Sequence, residues 1–346
     1  KGTVAAITGT NGKTTTTTLV GEIMKAYNDK TFVVGNIGIP YTSLSDQSSA
    51  DSVTVAEISS FQLETIHTFR PHVSAILNIT PDHLNRHYTF ENYANCKLDI
   101  TKNQTKEDYA VMNYDDPETV KRIDKVPATV ILFSHKKELE SGVIVKDGAV
   151  VIREKGEETY VMPLSEFQLL GDHNVENLLA AVAISYYMGA DIATIRKVCG
   201  AFKGVAHRIE FVKEVNGVAY YNDSKGTNPD AAIQGIRAMT TPTCLIGGGY
   251  DKGSTYDEWI EAFGSTIKYL VLIGQTSKAI ADCCEKHGFT NYEFATSMEE
   301  AVEKCASHAN PGEAVLLSPA CASWGMYDNY EQRGRIFKEL VRKLPD

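Results

Sequence analysis

The chain has 346 residues, which exceeds the usual size of one hydrophobic core, so we expect two domains of about 100–200 residues each. Its net charge of −10 argues against a broad nucleic-acid-binding surface, because phosphate backbones need clustered Lys and Arg. No apolar run approaches the roughly 20 residues that span a bilayer, and the amino terminus lacks a secretory signal, so we expect a soluble, cytoplasmic protein.

The cysteines indicate reduced thiols. There are seven, an odd number, without the spacing of a metal site, and adjacent Cys283 and Cys284 would form a strained disulfide. We expect most of them to be buried.

The first segment predicts a strand, a glycine turn and a helix. Thr3–Thr8 is apolar and β-rich, and a helical pattern begins near Lys13 and runs toward Tyr27. Strands then alternate with loops or amphipathic stretches, which predicts a mostly parallel sheet with helices on both faces. The further strands are predicted at Thr31–Val34, Val53–Ala56 and Ser74–Ile79, and an amphipathic stretch at Phe90–Lys102.

The middle of the chain carries a hairpin signal and then a domain boundary. Gly142–Tyr160 places an Asp147–Gly148 turn between two β-branched runs. A long helix is predicted at Asp172–Met188, and Phe202–Ala206 resembles a linker, so we place the boundary near residue 204.

The remainder predicts a second α/β domain, of Rossmann-like type. The fold class is therefore α/β throughout, with a phosphate-loop ATPase-type domain of mostly parallel sheet at 1–204 and the second domain at 205–346. Its β-type runs are Ile209–Tyr221, Thr243–Ile246, Tyr269–Ile273 and Ala314–Leu317, and its helical stretches are Ala231–Met239, Lys278–Lys286, Ser297–Ser307 and Tyr330–Leu344.

The glycine turn has the chemistry of a phosphate-binding loop. Gly9 and Gly12 let the backbone approach an anion, and the N–H groups that open the next helix carry partial positive charge. Lys13 would neutralise outer phosphates and the Thr14 hydroxyl would coordinate Mg²⁺. The general pattern G-x-x-x-x-G-K-[ST] is not met, because Ile7 stands five residues before Gly12. A plain structural turn is the alternative.

The short form of this loop resembles the ATP-binding signature of the Mur ligase family, which builds the peptide stem of bacterial cell-wall precursors; folylpolyglutamate synthases share it. The resemblance implies that the loop binds ATP through Gly9, Thr10, Asn11, Gly12, Lys13, Thr14 and Thr15.

Three side chains match the metal and catalytic positions of that family. Glu57 follows a strand and would hold Mg²⁺, and His83 matches a histidine that ligates a second Mg²⁺. Lys97 matches a lysine that becomes carbamylated, which turns an ammonium into a carboxylate-like ligand. The resemblance implies catalytic roles for these three and Lys13, with Thr14 as a further metal ligand and His83 and Asn36 also facing substrate.

Each of the three residues also has an alternative interpretation in which it has no catalytic or metal-binding role. Glu57 alone would pass as a surface residue at a strand end, His83 as a loop histidine that caps the next helix, and Lys97 as a solvent-facing lysine of a helix. Asn85 departs from the family motif, which commonly has Asp there.

Further matches imply nucleotide contacts. Asn174 and Asn177 open a helix three residues apart, on one face, and either contact nucleotide or cap the helix. Arg208 would reach the ATP phosphates, for which a guanidinium is suited. Asp223 would hold the ribose, and Lys252 lies in a glycine loop near the nucleotide.

A last group resembles the branch of the family that adds D-glutamate. Lys225 and Thr227 would bind the carboxylates of D-glutamate. Ser323, Trp324 and Tyr330 would lie on the amino-acid side, although the two aromatic residues could instead belong to the core.

The resemblance implies an ATP-dependent, ADP-forming ligase that joins D-glutamate to UDP-N-acetylmuramoyl-L-alanine through an acyl-phosphate, with Mg²⁺, as two ions, and as a monomer. Residues 1–204 would be the central ATP-binding domain and 205–346 the amino-acid-binding domain. The family carries a further UDP-binding domain before the loop, whereas Lys1 stands close to it, so we expect a truncated form with impaired binding of the UDP substrate. A folylpolyglutamate synthase-like ligase and a non-catalytic nucleotide-binding partner are the alternatives.

Overall fold

A computed structural model of the protein describes residues 1–169 and 171–345; the side chain of Asn85, where the family motif differs, lies outside this description. Two compact units are formed, Lys1–Gly204 and Val205–Asp346. Each unit has its own sheet.

The sheet of the first unit has nine described strands. They are β1 (Thr3–Thr8), β2 (Thr31–Gly35), β3 (Val53–Glu57), β4 (Val73–Ile76), β5 (Tyr109–Asn113), β6 (Thr129–Ser134), β7 (Gly142–Lys146), β8 (Ala149–Glu154) and β9 (Glu157–Pro163). Their order is β2-β3-β1-β4-β5-β6-β7-β8-β9. Pairs are parallel from β2 to β7 and antiparallel from β7 to β9. The chain passes to one side of β1 for β2 and β3 and to the other for β4. Ligands collect at the carboxyl ends of strands beside such a reversal.

Helices cover both faces of this sheet. They are α1 (Lys13–Tyr27), α2 (Ser60–Leu63), α3 (Leu84–His87), α4 (Phe90–Leu98), α5 (Pro117–Val120), α6 (Asp172–Tyr187) and α7 (Ile192–Ala201). Ala5 and Ile7 of β1 pack in the core formed with α1, α6 and α7, whereas Ala6 packs in the core formed with α4. This alternation is the period of two that a strand buried on both faces requires.

The predicted hairpin is confirmed at β7 and β8. Asp147 (φ 49°) and Gly148 (φ 73°) both adopt positive φ, as a two-residue turn of type I′ requires. The chain then makes a second turn into β9, so that the hairpin becomes a three-stranded antiparallel extension of the parallel sheet.

The second unit is again a mostly parallel sheet between helices. Its strands are β10 (Glu210–Val215), β11 (Val218–Asn222), β12 (Thr243–Gly247), β13 (Ile267–Ile273), β14 (Tyr292–Ala295) and β15 (Ala314–Leu317), in the order β10-β11-β15-β12-β13-β14. Its helices are α8 (Pro229–Arg237), α9 (Asp257–Glu261), α10 (Ser277–Lys286), α11 (Met298–His308) and α12 (Tyr330–Lys343). One core lies toward α11 and α12 and another toward α8, α9 and α10.

The structure differs from the sequence predictions at several elements. The run predicted at Ile209–Tyr221 is two antiparallel strands, because Asn216 and Gly217 adopt positive φ and form a turn. The strand predicted to reach Ile79 ends at Ile76, and the stretch from Phe90 is helical to Leu98 and then tightens into a single 3₁₀ turn. Strands β5, β6 and β14 and helix α7 were not predicted.

All seven cysteines are free thiols, and only Cys283 among them is not fully buried. Within the described residues, none of the helices has the length and apolar character that crossing a membrane would require.

A glycine-to-alanine pair within the first unit tests the backbone geometry. Gly148→Ala should destabilise this unit by about 1 kcal/mol, because an L-residue is strained at φ 73° although nothing lies within 4 Å of the added Cβ. Gly200→Ala, within α7, should stabilise it by about 0.5–1 kcal/mol, because alanine favours a helix and the nearest atom lies 4.0 Å away. Urea unfolding of both variants measures the shifts, and shifts of equal sign would contradict the assigned backbone conformations.

Candidate active site

The glycine loop connects β1 to α1 at the carboxyl edge of the first sheet. Gly12 is the N-cap of α1 with φ 82°, and a Cβ there would lie 2.2 Å from Oδ1 of Asn177. Only glycine fits both conditions. The helix has no side-chain cap, so its first N–H groups remain directed at whatever occupies the loop.

The loop is braced by the segment that follows β4. The Thr10 hydroxyl donates to the Thr80 carbonyl (3.1 Å) and lies 3.0 Å from the Tyr93 hydroxyl. The Asn11 N–H donates to Oδ1 of Asn78 (2.8 Å). These contacts fix the shape of the loop before any ligand binds.

Lys13 folds back over the loop. Its Nζ donates to the carbonyls of Gly9 (2.9 Å) and Thr10 (2.8 Å). The ammonium is therefore held against the backbone of the loop, within reach of an anion that the loop would bind. Thr14 is buried and Thr15 half-buried at the first turn of α1.

Glu57 lies at the end of β3 in register with Ile7, two residues before the loop begins. It is 2% exposed, so the alternative interpretation of Glu57 as a surface residue was wrong. Its Oε1 accepts from Nδ2 of Asn36 (2.9 Å), whereas its buried Oε2 has no hydrogen-bond partner among the described residues. A buried carboxylate oxygen without a partner is costly unless a cation or donor completes it.

Lys97 comes from α4 on the opposite face and is also 2% exposed, so the solvent-facing alternative was wrong. Its Nζ donates to the Gly9 carbonyl (2.8 Å) and lies 4.6 Å from the centre of the Tyr93 ring. Burial, with a smaller contribution from nearby Lys13, lowers the pKa of Lys97 to about 7. The amine is therefore substantially neutral, and nucleophilic, near neutral pH.

His83 is more open. It adopts φ 52° at the N-cap of α3, but its side chain makes no capping hydrogen bond, which contradicts the capping alternative. The ring lies 4.9 Å from that of Phe61 and 6.4 Å from that of Tyr93, and Nε2 is 3.5 Å from Oδ2 of Asp82. The imidazole thus lies on the same side of the loop as Lys97.

The residues around the loop fit a hard divalent cation. Glu57 offers an unsatisfied buried oxygen and Thr14 a hydroxyl in the first turn of α1, and oxygen ligands are those that a hard ion prefers. His83 adds an exposed ring, which is a less usual ligand for such an ion. A carbamylated Lys97 would add a carboxylate in place of an ammonium, which removes a positive charge that opposes a metal ion.

A cleft of about 470 Å³ adjoins the loop at the same edge of the sheet. It is lined in part by Asn78, Thr80, Asn113, Asp115 and Glu176. A cavity of about 510 Å³ also exists at Gly2–Val4, where β1 begins; it lies at the opposite edge, away from the glycine loop.

Asn177 packs directly on the loop helix. Its Oδ1 accepts from the Thr16 hydroxyl (3.2 Å) and its Nδ2 donates to Oδ1 of Asn174 (3.3 Å). The N-cap of α6 is Gly171, so neither asparagine is the capping residue. The two amides form one polar patch beside Gly12.

In the second unit, Lys225 and Thr227 lie in the loop that follows β11. The Lys225 Nζ is 6.0 Å from the centre of the Tyr330 ring, and the Thr227 N–H donates to the Lys225 carbonyl (2.8 Å). The loop that carries Thr227 thus presents a lysine ammonium beside an aromatic ring.

Arg333 organises this part of the second unit and was not predicted. It is 1% exposed and donates to the Ser224 hydroxyl (3.0 Å), the Ser224 carbonyl (2.8 Å) and the Cys321 carbonyl (3.0 Å). Ser224 in turn donates to the Tyr330 carbonyl (2.8 Å). The arginine thereby joins the loops that carry Lys225 and Ser323 to the start of α12.

Trp324 and Lys252 lie against each other. The Lys252 Nζ is 4.7 Å from the centre of the Trp324 ring, and Tyr250 packs on the same ring at 5.6 Å. Trp324 is 53% exposed, so the core alternative was wrong for it; Tyr330 is half-buried. Ser323 is buried beside them.

Asp223 directly follows β11 and is buried. Its Oδ2 accepts from the Ser318 hydroxyl (2.7 Å) and its Oδ1 from the Ile209 N–H (3.3 Å). Burial raises the pKa of Asp223 to about 7, against the opposing effects of the Ser318 hydrogen bond and nearby Arg208. The positive charge of the Arg208 guanidinium therefore acts on the Asp223 carboxyl and favours its charged form.

Sequence reasoning also missed the side chains that hold the loop in place. Tyr93 and Asn78 each make a hydrogen bond to a predicted site residue. Asn78 follows a strand end, which is a usable signal, but Tyr93 has the pattern of an ordinary core residue.

Two family models match the chain, the Mur ligase middle domain over residues 7–185 and the glutamate ligase domain of Mur ligases over residues 207–321. The chain is 56% identical over 346 residues to the UDP-N-acetylmuramoylalanine–D-glutamate ligase of Lachnoclostridium phytofermentans, and it covers 76% of that protein. It is 57% identical over 345 residues to the protein of the same name from Lachnospira eligens, with 76% of that protein covered.

Solved structures share the fold. MurF from Acinetobacter baumannii matches with a TM-score of 0.68 and 20% identity, covering 99% of this chain and 77% of that one. MurF from Thermotoga maritima, in complex with ADP, matches with a TM-score of 0.67 and 19% identity over 99% of this chain and 81% of that one. The two family models together match more than half of the chain, and the chain belongs to the Mur ligase family.

Proposed function

We propose that this chain joins D-glutamate to the alanyl carboxylate of UDP-N-acetylmuramoyl-L-alanine, with conversion of ATP to ADP and phosphate. The observation that carries the proposal is the convergence of Lys13, Glu57 and Lys97 on one glycine loop. The identity of the amino acid is supported by relatives of 56–57% identity that are named as D-glutamate ligases.

The first step is a phosphoryl transfer. A carboxylate oxygen of the alanyl group attacks the γ-phosphorus of ATP, and ADP leaves. Lys13 and the N–H groups at the start of α1 would hold the phosphates and offset the charge that develops on them. Such transfer depends mainly on positioning and electrostatics, which a loop braced by Asn78, Thr80 and Tyr93 provides.

Mg²⁺ would polarise the transferring phosphoryl group when bound. Thr14 and Glu57 would hold one ion and His83, with carbamylated Lys97, a second. Asn36 orients Glu57 through its hydrogen bond to Oε1, and it would also face substrate.

The second step forms the amide. The neutral amine of D-glutamate attacks the acyl carbon, phosphate leaves, and the nitrogen loses a proton. Lys225 and Thr227 would bind the carboxylates of D-glutamate. Ser323, Trp324 and Tyr330 would lie on the amino-acid side of the site. The Lys225 ammonium beside the Tyr330 ring supplies the charge that a dicarboxylate requires.

The nucleotide contacts complete the proposal. Asn174 and Asn177 would contact the nucleotide beside the loop, and Arg208 its phosphates. Asp223 would hold the ribose and Lys252 would lie near the nucleotide. The names and identity of the relatives favour this function over a folylpolyglutamate synthase-like ligase. The presence of Lys13, His83, Lys97 and Lys225 favours it over a non-catalytic binding partner.

Stimulation of ADP release tests the amino-acid assignment. With UDP-N-acetylmuramoyl-L-alanine and ATP, the full-length protein should release ADP much faster when D-glutamate is added, because only the amine acceptor drains the acyl-phosphate. L-glutamate, L-lysine and folate are the controls. Equal rates with D-glutamate and L-glutamate would refute D-glutamate specificity and leave the ligase class standing.

Glu57→Gln should lower Mg²⁺-dependent ADP formation by about 10²-fold or more, because the amide retains the shape but not the charge of the carboxylate. In EDTA the same variant should be about as stable as the parent, because the amide oxygen can still accept the hydrogen bond from Asn36 and the changed atom has no partner to lose. Activity and thermal unfolding are measured together. Glu107→Gln is the matched control, since its side chain is 89% exposed. Loss of activity with loss of folding would point to a structural role for Glu57.

Carbamylation of Lys97 should depend on pH. The neutral amine is the form that adds CO₂, and the pKa of about 7 makes it abundant at neutral pH, unlike an ordinary lysine. At fixed dissolved ¹³CO₂, one carbamate carbon signal should grow as the pH rises from about 6 to 8. Lys97→Arg should abolish it. A signal that persists in Lys97→Arg would assign the carbamate elsewhere.

A further inference from the structure

A second group of metal-type ligands lies outside the proposed catalytic residues. Asp115 follows β5, His135 follows β6, and Glu176 lies in the second turn of α6. One ligand atom from each lies within 4.8 Å of the others. None of the roles assigned above uses these three residues.

The spacing of the three atoms suits a small coordination sphere. His135 Nδ1 lies 3.2 Å from Oδ2 of Asp115 and 3.5 Å from Oε1 of Glu176. Ligands bound tetrahedrally at the distances typical of zinc to nitrogen and oxygen lie about 3.3–3.6 Å from each other. The two observed separations are close to these values.

The ring of His135 is not satisfied by hydrogen bonds. Both ring nitrogens are buried and have no hydrogen-bond partner among the residues that the structure describes. The short Nδ1 separations are therefore contacts without hydrogen-bond geometry, and a buried imidazole left in that state is destabilising.

The carboxylates, by contrast, are held in place. Asp115 accepts from the Ser134 hydroxyl (2.7 Å) and from the His135 N–H (2.9 Å), and its side chain is 1% exposed. Glu176 accepts from Nδ2 of Asn113 through Oε2 (3.3 Å), which leaves Oε1 directed at the ring. The ligands are thus oriented by neighbours, as in metal sites.

The local charge favours a cation. Burial raises the pKa of Glu176, and Asp115 adds to this effect, while His135 and Lys136 oppose it. Lys136 is exposed and is not part of the ligand group. An ion between Asp115 and Glu176 would relieve the repulsion between their carboxylates. Both line the 470 Å³ cleft, which gives an ion and a water molecule access.

We propose that Asp115, His135 and Glu176 form a binding site for a divalent transition-metal ion of zinc type, with water as the fourth ligand. Imidazole with carboxylates suits such ions better than Mg²⁺. Asp172, whose Oδ2 lies 3.7 Å from Nε2 of His135, would orient the ring from its far side. The ion would tie the ends of β5 and β6 to the start of α6, the helix that places Asn174 and Asn177 beside the glycine loop.

Titration with Zn²⁺ in excess Mg²⁺ tests the proposal. The protein should carry the Cys283→Ser change, which removes the thiol from the other compact group of possible ligands, Asp257, Cys283 and His287. We expect one equivalent of Zn²⁺ to bind, and His135→Gln to weaken this binding by about tenfold or more. Co²⁺ should give the visible absorption of a tetrahedral site, and His135→Gln should remove it.

His72→Gln is the matched control, because the described part of the chain gives the His72 ring one carboxylate neighbour, Asp108, at 3.6 Å. It should bind Zn²⁺ as the parent does. Equal Zn²⁺ affinity in the parent and His135→Gln would overturn the proposal, as would the absence of saturable binding. A protonated His135 ring in the presence of saturating Zn²⁺, seen by ¹⁵N NMR, would identify the cluster as an ion-pair network instead.

Discussion

The candidate site depends on one buried contact, between the Lys97 amine and the Gly9 carbonyl (2.8 Å). An ammonium loses far more solvation on burial than one hydrogen bond returns, so the group shifts toward its neutral form. Tyr93 lies one turn earlier on α4 and reaches Thr10. One helix face thus holds two consecutive residues of the loop. The same burial that lowers the pKa of Lys97 therefore couples the reactivity of its amine to the position of the loop.

Parallel strands explain why the other side chains arrive at the same place. β1, β3 and β4 are neighbours that run in one direction, so the loop after β1, Glu57 at the end of β3 and Asn78 after β4 meet at one edge. Gly35 is part of this arrangement, since a Cβ there would lie 2.2 Å from the Glu57 carbonyl. The close approach lets Asn36 reach Oε1 of Glu57 and leaves Oε2 for a cation.

The sequence was sufficient for features that local chemistry determines. The bounds of α1 and the turn at Asp147 and Gly148 were predicted correctly, because helix periodicity and turn residues act over a few positions. The burial of Glu57 and Lys97 was not predictable from the residues alone, since it depends on strands and helices far apart in the chain. Arg333 was missed for the same reason: its partners lie 12 and 109 residues away. The Asn216–Gly217 pair is a local turn signal, and it would have been sufficient to predict the break between β10 and β11.

Two neighbouring groups at one sheet edge offer a cation different chemistry. Around Glu57, the donors are a carboxylate oxygen, a hydroxyl in the first turn of α1 and an exposed imidazole, beside a loop built for phosphate, which suits a hard ion that shares its ligands with a nucleotide. Around His135, the donors are packed within 4.8 Å and come from three elements that are already fixed by hydrogen bonds. A compact nitrogen-containing set favours an ion with few ligands and short bonds over one that keeps its water. Because α6 carries Glu176 and Asn177 in adjacent positions, an ion at His135 would act on the glycine loop through the helix rather than through the nucleotide.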